Sequence, residues 1–239
     1  MRSNKRRACS SPSSHSIETT CAPISAVVAA AQDGDLKRIN ALWEQDPAMF
    51  RLAADRHGSN ALHFAAGCGH VELCEYLVRT CGIPATHRNG RGRTALHWAA
   101  RNGKVEVCQL LVGKLMVDPN CAASGGVTPL QLAVWQCHEH CARWLAGKGA
   151  DVRVVNDFGC TTAHWCAMSG TANTTGDATT GDGADDTEAQ AQKVQRMCTW
   201  LRSDYGVDFA APNKQGHTVS VVILVQQMSL VGSECSKCL

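Results

Sequence analysis

The chain has 239 residues, of which 44% are apolar and 18% charged, with a formal net charge of +2. This composition is ordinary for a globular protein, and so small a net charge gives no strong field for nucleic acid or a membrane surface. We therefore expect no specific nucleic-acid partner. The length allows one compact domain, two small ones or one array of repeats, so composition does not decide the fold.

Residues 1–23 are predicted to form a disordered arm, because this segment is basic and rich in serine. An apolar stretch at 24–31 follows and resembles part of a targeting peptide, but it also fits the repeat pattern described next. The longest apolar run, 219–225, is too short to cross a bilayer core about 30 Å thick. We expect no membrane span.

One segment recurs along the chain at a nearly constant spacing. It reads NALHFAA at 60–66, TALHWAA at 94–100, TPLQLAV at 128–134 and TTAHWCA at 161–167. The marker positions, which lie 34, 34 and 33 residues apart, are His63, His97, Gln131 and His164. A period of this length is typical of stacked supersecondary units.

The pattern resembles the ankyrin-repeat family, whose units read roughly G-x-T-P-L-H-x-A-A-x-x-G-H, then a second helix, then G-A-D-x-N. Residues 92–103 match the first part closely, 149–151 match the closing part, and an earlier unit is visible at 28–35. The resemblance implies an all-α solenoid of stacked helix-turn-helix units with short β-hairpin-like fingers. It also implies that His63, His97 and His164 are structural, each bonding to backbone of an adjacent turn.

The repeats divide the chain into units. We predict a repeat domain at 24–218, with five to six repeats, of which the last is degenerate. The predicted units are about 24–57, 58–91, 92–125, 126–158 and 159–215. The fifth holds an insert near 171–191 that lacks aromatic and branched aliphatic residues, so we expect it to be disordered. Residues 216–239 are predicted to form a truncated repeat and tail.

Each unit carries local signals for its helices. Thr94 or Thr128 can cap the first helix, and Gly69 and Gly103 can end it, because glycine adopts positive φ at low cost. Second helices are predicted from apolar residues at helical spacing. They fall at 71–77, 105–111 and 195–201.

Cysteine-rich clusters give an alternative interpretation as a zinc or redox protein. Cys137, His138, His140 and Cys141 have zinc-ligand chemistry, but one helix cannot aim them all at one point. A C-x-x-C pair at Cys235 and Cys238 lacks a second pair. Acidic residues of the insert, from Asp177 to Glu188, lack the calcium-binding EF-hand order. We therefore expect packing roles, and neither metal nor cofactor.

The resemblance implies a non-catalytic scaffold or adaptor that binds another protein in the concave groove, through the finger loops and the exposed ends of the first helices. No nucleophile, phosphate-binding or metalloprotease motif is present, so we expect no enzymatic activity. The predicted contact residues are Arg56, His57, Ser59, Arg88, Arg91, Arg93, Arg101, Asn102, Trp135, Gln136, Asp157 and Phe158. The alternative to a free-standing adaptor is a substrate-recruiting fragment of a larger regulatory enzyme. We expect a monomer in the cytoplasm, with the nucleus as the other candidate.

Overall fold

The structure is a computed structural model that describes residues 21–169 and 185–219. Its α-helices in these ranges are α1 (Cys21–Asp33), α2 (Leu36–Gln45), α3 (Pro47–Leu52), α4 (Ala61–Cys68), α5 (Val71–Arg79), α6 (Ala95–Arg101), α7 (Val105–Cys108), α8 (Pro129–Trp135), α9 (Glu139–Gly147), α10 (Thr162–Ala167) and α11 (Asp185–Tyr205). Helix α7 continues as a π-helical segment, Gln109–Lys114. No strand occurs in the described ranges, where a bridge pairs Ala54 with Asn60.

The helices stack as two layers. Helices α1, α4, α6, α8 and α10 follow one another in the first layer, and each packs against its own second helix, α2, α5, α7, α9 or α11. The described chain is thus an all-α solenoid, as predicted. The first helices approach closely because alanine pairs such as Ala65–Ala66 and Ala99–Ala100 lie fully buried between them.

Most first helices end at a residue with positive φ. Gly69 has φ 95° and Gly103 has φ 66°. A Cβ on Gly103 would lie 2.6 Å from the His138 ring, so the next unit also requires glycine there. The equivalent position in α8 is Cys137, which keeps φ 55° despite its side chain.

The first unit contains a helix that the repeat pattern did not predict. Helix α3 follows directly after α2, with Pro47 at its first position. The carboxylate of Asp46 accepts hydrogen bonds from the N–H groups of Ala48 and Met49, each at 3.0 Å. Phe50 is buried against the first unit. An acidic cap followed by proline is a recognisable helix start.

The prediction of disorder near 171–191 is wrong for its last part, because α11 begins at Asp185. Alanine and glutamine at 189–192 favour a helix, and buried residues further along the same helix hold it against α10. The arm predicted at 1–23 likewise ends earlier, since α1 begins at Cys21.

Several predictions fall on residues outside the described ranges. These are the arm at 1–20, the insert at 170–184, and the tail at 220–239 with Cys235 and Cys238. The sixth unit is described through Val219, which is buried. Among the helices of the described ranges, none combines the length and apolar character needed to traverse a bilayer.

Candidate partner-binding surface

In the described part of the chain, tight turns between the helix pairs form a row of five fingers, at 55–59, 89–93, 123–127, 156–160 and 213–217. In each, the first residue donates its N–H to the carbonyl of the fifth, for example Asn89 to Arg93 at 2.9 Å. The side-chain oxygen of Asn89 also accepts from the N–H groups of Arg91 and Arg93. Aspartate and asparagine stabilise such turns in this way, and they begin every described finger except the third, which begins at Ala123.

Backbone hydrogen bonds join neighbouring fingers. The N–H of Gly90 donates to His57 O at 2.7 Å, and that of Ser124 donates to Arg91 O at 3.0 Å. The same contact recurs from Asp157 to Gly125 and from Lys214 to Phe158. The fingers therefore form a continuous row along one side of the solenoid.

The marker histidines tie three first helices, α4, α6 and α10, to the following finger. His63 Nδ1 accepts from the N–H of Asn60 at 3.2 Å, so Nε2 carries the proton and donates to Arg93 O at 2.9 Å. His97 repeats this arrangement with Thr94 and Val127, and His164 repeats it with Thr161 and His217. Burial lowers the pKa of both His63 and His97 to about 4. The rings of His63 and His97 are therefore neutral and enclosed, which suits a structural role.

Four arginines form a group that we call the basic cluster: Arg88 directly before the second finger, Arg91 and Arg93 within it, and Arg101 at the end of α6. Arg88, Arg91 and Arg101 are exposed, whereas Arg93 is half-buried. The Arg88 guanidinium donates to Gly92 O at 3.2 Å and also to Ala122 O, so it bridges two fingers. In addition to the effect of desolvation, the positive charges of Arg101 and Arg91 lie close enough to Arg93 to lower its pKa.

No carboxylate among the described residues forms an ion pair with the basic cluster. Ion pairs in the described ranges involve Glu75, Glu139 and Asp204, and none includes a member of the cluster. Desolvation, with the neighbouring charges of Arg101 and Arg91, lowers the pKa of Arg93. Desolvation and Arg91 lower the pKa of Arg101 in the same way. The region is a concentration of positive charge that an external anion would relieve.

Trp135, the aromatic residue predicted near these arginines, packs against Arg101. The Arg101 guanidinium lies 5.4 Å from the centre of the Trp135 ring, a cation–π contact. The other side of Trp135 meets Trp165 edge-on at 6.1 Å. Trp135 is only 9% exposed, so its predicted role as a direct contact is corrected to one of holding Arg101.

Ser59, which was also predicted to contact a partner, is buried in the structure. It is 1% exposed, and its hydroxyl accepts a hydrogen bond from Asn89 Nδ2 at 3.1 Å. The sequence could not show this, because the bond joins two fingers 30 residues apart. Ser59 therefore belongs to the contact between fingers.

The remaining predicted residues follow the row of fingers. Arg56 and His57 are exposed at the first finger, where Arg56 Nε contacts His57 Nε2 at 3.1 Å. Asn102 is exposed at the end of α6, and Gln136 is half-buried at the end of α8. Of the fourth-finger pair, Asp157 is exposed and the Phe158 ring packs over Gly125 of the third finger.

Two half-exposed aromatic residues were missed by the sequence analysis. Phe64 and Trp98 directly follow the marker histidines, and their rings meet edge-on at 5.2 Å. Trp98 also packs against Gly67 of the preceding unit and lies 6.0 Å from the His63 ring. A recurring aromatic after the marker histidine was the available signal. Together they add an apolar surface on the first helices.

The cluster at 137–141 does not assemble as a metal site. Cys137 and Cys141 are buried, and His140 is exposed. Cys141 Sγ instead contacts Cys108 Sγ of α7 at 3.7 Å. Within 21–169 and 185–219, no three histidine, cysteine or acidic side chains are grouped to hold a metal ion. The described residues of the 137–141 cluster therefore do not form a set of zinc ligands.

Comparison with known families agrees with the geometry. Residues 81–156 match the profile of ankyrin repeats in three copies, and residues 57–89 match that of a single ankyrin repeat. Residues 57–156 of the chain are therefore ankyrin repeats. These repeats include the second and third fingers and the basic cluster, whereas the predicted total of five to six repeats stays a prediction.

Two curated proteins contain a segment that is similar to part of this chain. A probable E3 ubiquitin-protein ligase, XBOS32, from Oryza sativa subsp. japonica is 37% identical over 67 residues, and the E3 ubiquitin-protein ligase XBAT32 from Arabidopsis thaliana is 36% identical over 67 residues. Each match covers 28% of this chain and 13% of the relative. The similarity thus concerns a short part of those proteins.

Proposed function

We propose that this protein is a non-catalytic adaptor that binds an acidic segment of a partner protein at the basic cluster. Ankyrin repeats are interaction modules without catalytic chemistry of their own, and the described ranges hold no ion pair that occupies the cluster. The observation that carries the proposal is the grouping of Arg91, Arg93 and Arg101 without an acid.

A carboxylate is the ligand that these guanidinium groups favour. Arginine binds carboxylates through paired N–H donors, and the bond is stronger where the group is partly desolvated. The lowered pKa values of Arg93 and Arg101 report both desolvation and mutual repulsion. A bound carboxylate would offset the repulsion, so binding would involve no loss of an internal ion pair.

The partner segment is also expected to carry an apolar residue. Trp98 follows His97 on α6, the helix that ends at Arg101, and is half-exposed beside Phe64. Aromatic and arginine side chains are the usual energetic anchors of protein interfaces. We therefore propose a segment that combines an acidic residue with an apolar one.

Selection from a random peptide library displayed on phage tests the proposal. The intact chain serves as bait beside two variants with equal charge change, Arg91→Glu with Arg101→Glu, and Lys37→Glu with Arg38→Glu. The second pair lies exposed on α2. We expect peptides rich in Asp or Glu from the wild-type protein and from the α2 control, and loss of those peptides with the first variant.

Salt provides an independent measurement. Affinity of a selected peptide should fall steeply with rising ionic strength, because exposed charge pairs are screened over about 10 Å at 0.1 M salt. Peptides without acidic residues, or equal binding to both double variants, would remove the basic cluster from the function. Circular dichroism of each variant confirms that the fold is retained.

A second candidate is the substrate-recruiting arm of a larger regulatory enzyme. The observation that favours it is the similarity to segments of two E3 ubiquitin-protein ligases, which are much longer than the matched region. Sequencing the complete transcript tests this candidate. A catalytic domain in the same reading frame would support it, and a stop codon directly after Leu239 would favour the free-standing adaptor.

A further inference from the structure

Two cysteines of the last described helix pair lie in direct contact. Cys166 of α10 and Cys198 of α11 have their Sγ atoms 3.1 Å apart. A disulfide bond is about 2.05 Å long, so the sulfurs need to move by only about 1 Å to become bonded. Cys166 is buried, whereas Cys198 is partly exposed on α11. Cys198 is therefore the more accessible residue of the pair.

A second thiol pair in the same protein provides the natural comparison. Cys108 of α7 and Cys141 of α9 have Sγ atoms 3.7 Å apart. Both residues are buried, with exposures of 0% and 1%. An oxidant in water has no access to either sulfur. The two pairs thus differ in accessibility as well as in distance.

The Cys166–Cys198 pair is chemically asymmetric. The hydrogen bond from Cys166, assisted by the charge of Arg202, lowers the pKa of Cys198 against the effect of desolvation. The same hydrogen bond and burial raise the pKa of Cys166. Because the thiolate is the reactive form of cysteine, the sulfur of the more accessible residue is also the nucleophilic one.

We propose that Cys166 and Cys198 are a peroxide-sensitive dithiol that closes to a disulfide between α10 and α11. The Cys198 thiolate attacks one oxygen of hydrogen peroxide, the O–O bond breaks, and the departing hydroxide takes a proton to leave water and a sulfenic acid. Cys166 then attacks Cys198 Sγ, the S–O bond breaks, and the thiol proton leaves with the oxygen as a second water. Two thiols are oxidised, and one peroxide is reduced to two waters.

The disulfide would join two helices that are distant in sequence. Cys166 and Cys198 are 32 residues apart, and the connection between α10 and α11 includes the long insert. Closing a loop of this length restricts the unfolded chain and stabilises the native packing. Oxidation would therefore fasten α11 to the ankyrin array, and reduction would release that restraint.

Peptide mapping after peroxide treatment tests the proposal on the intact chain. The protein is treated with a small excess of hydrogen peroxide, remaining thiols are alkylated, and trypsin digestion proceeds without reductant. Trypsin places Cys198 in peptide 197–202 and Cys166 in 154–193, together with Cys160. We expect these two peptides to be joined, with the loss of two hydrogen atoms. Fragmentation of the joined peptides in the mass spectrometer identifies the bonded cysteine directly.

The Cys108–Cys141 pair is the internal control, because it falls in peptides 105–114 and 115–143. These peptides should stay separate, with their cysteines alkylated after denaturation. Equal cross-linking of the two pairs, or alkylated Cys166 and Cys198 after treatment, would overturn the proposal. A bond from Cys198 to Cys160 or to the neighbouring Cys137 would overturn it as well.

A thermal melt provides a second readout. Peroxide should raise the melting temperature of the wild-type protein by about 5–10 °C, a shift that the reductant dithiothreitol reverses. The variant Cys198→Ser should show no shift, whereas Cys141→Ser should show the full shift. Mapping of the wild-type protein decides the assignment even if a variant folds poorly. An equal shift in Cys198→Ser would contradict the proposal.

Discussion

His63 Nε2 donates a hydrogen bond to the backbone carbonyl of Arg93 at 2.9 Å, across 30 residues of sequence. The bond connects α4 with the second finger, which contains Arg91 and Arg93 of the basic cluster. His97 makes the equivalent bond to Val127 at 3.1 Å, one unit further along. The histidines that mark the repeat thus hold the fingers in the position from which a partner would be bound.

Because of these histidines, we expect the free energy of unfolding to depend on pH. In the native state the pKa of His63 and of His97 is about 4, below the ordinary value of 6.5. Between pH 6.5 and 4 the unfolded chain therefore binds protons that the native chain does not. The free energy of unfolding should be fully present above pH 6.5, fall by about 3 kcal/mol per histidine as the pH approaches 4, and level off below. Urea denaturation at successive pH values measures this.

Glutamine provides the control for this pH effect. Gln131 occupies the marker position of the fourth predicted unit, where its Oε1 accepts from Thr128 N–H at 3.2 Å and its Nε2 donates to Val154 O at 3.3 Å. The variants His63→Gln and His97→Gln should keep both bonds without titrating. Their loss of stability between pH 6.5 and 4 should be smaller than that of the wild-type protein. An unchanged pH profile would show that other groups cause it.

The fourth finger contains a buried amide nitrogen that a single substitution should satisfy. Asn156 Nδ2 is buried without a hydrogen-bond partner in the described ranges. At equivalent contacts, Asn89 donates to Ser59 Oγ and Asn213 to Cys160 Sγ, whereas the matching position here is Val127. Val127→Thr supplies an acceptor of similar volume.

We expect Val127→Thr to raise the free energy of unfolding by about 1 kcal/mol, because a buried donor without an acceptor is costly. The control is the same substitution in an Asn156→Ala background, where no donor is available and the hydroxyl should destabilise. Chemical denaturation of the four proteins gives the coupling between the two positions. Additive effects would show that the new hydroxyl does not accept from Asn156.

Replacing Cys137 at the end of α8 by glycine should stabilise the protein. Its φ of 55° is in the left-handed region that Gly69 and Gly103 occupy in the preceding units. Cys137→Gly should stabilise the protein by about 1 kcal/mol, since a side chain costs about 1–2 kcal/mol in this conformation. Cys137→Ala removes the same thiol but keeps Cβ, so it should bring no such gain. Thermal and urea denaturation compare the three proteins.

Repulsion among the arginines of the basic cluster should lower the free energy of unfolding of the protein. Arg91 lies among like charges that lower the pKa of both Arg93 and Arg101. Arg91→Gln should increase stability by a few tenths of a kcal/mol at low salt, and the gain should disappear as salt screens the charges. The same variant should bind the selected acidic peptides more weakly than the wild-type protein does. A gain that persists at high salt would point to a cause other than repulsion.

Much of the fold follows from the local pattern of residues. The marker positions and alanine pairs predict the helix pairs, and the positions of Gly69 and Gly103 predict where first helices end. Helix α3 was missed because the Asp46–Pro47 start lies outside the repeat pattern. The start of α11 was misplaced because a composition poor in branched apolar residues was interpreted as disorder, although packing against α10 begins only further along the helix.

The sequence by itself determined the repeat, its period and the grouping of arginines on one finger, because these depend on residues close together in the chain. The tertiary structure decided which of them a partner can reach. Ser59 and Trp135 resemble surface residues locally, but contacts with the next unit bury them. The Cys166–Cys198 pair likewise exists only because α10 packs on α11. Contacts between segments many residues apart arise from stacking, which a local pattern does not contain.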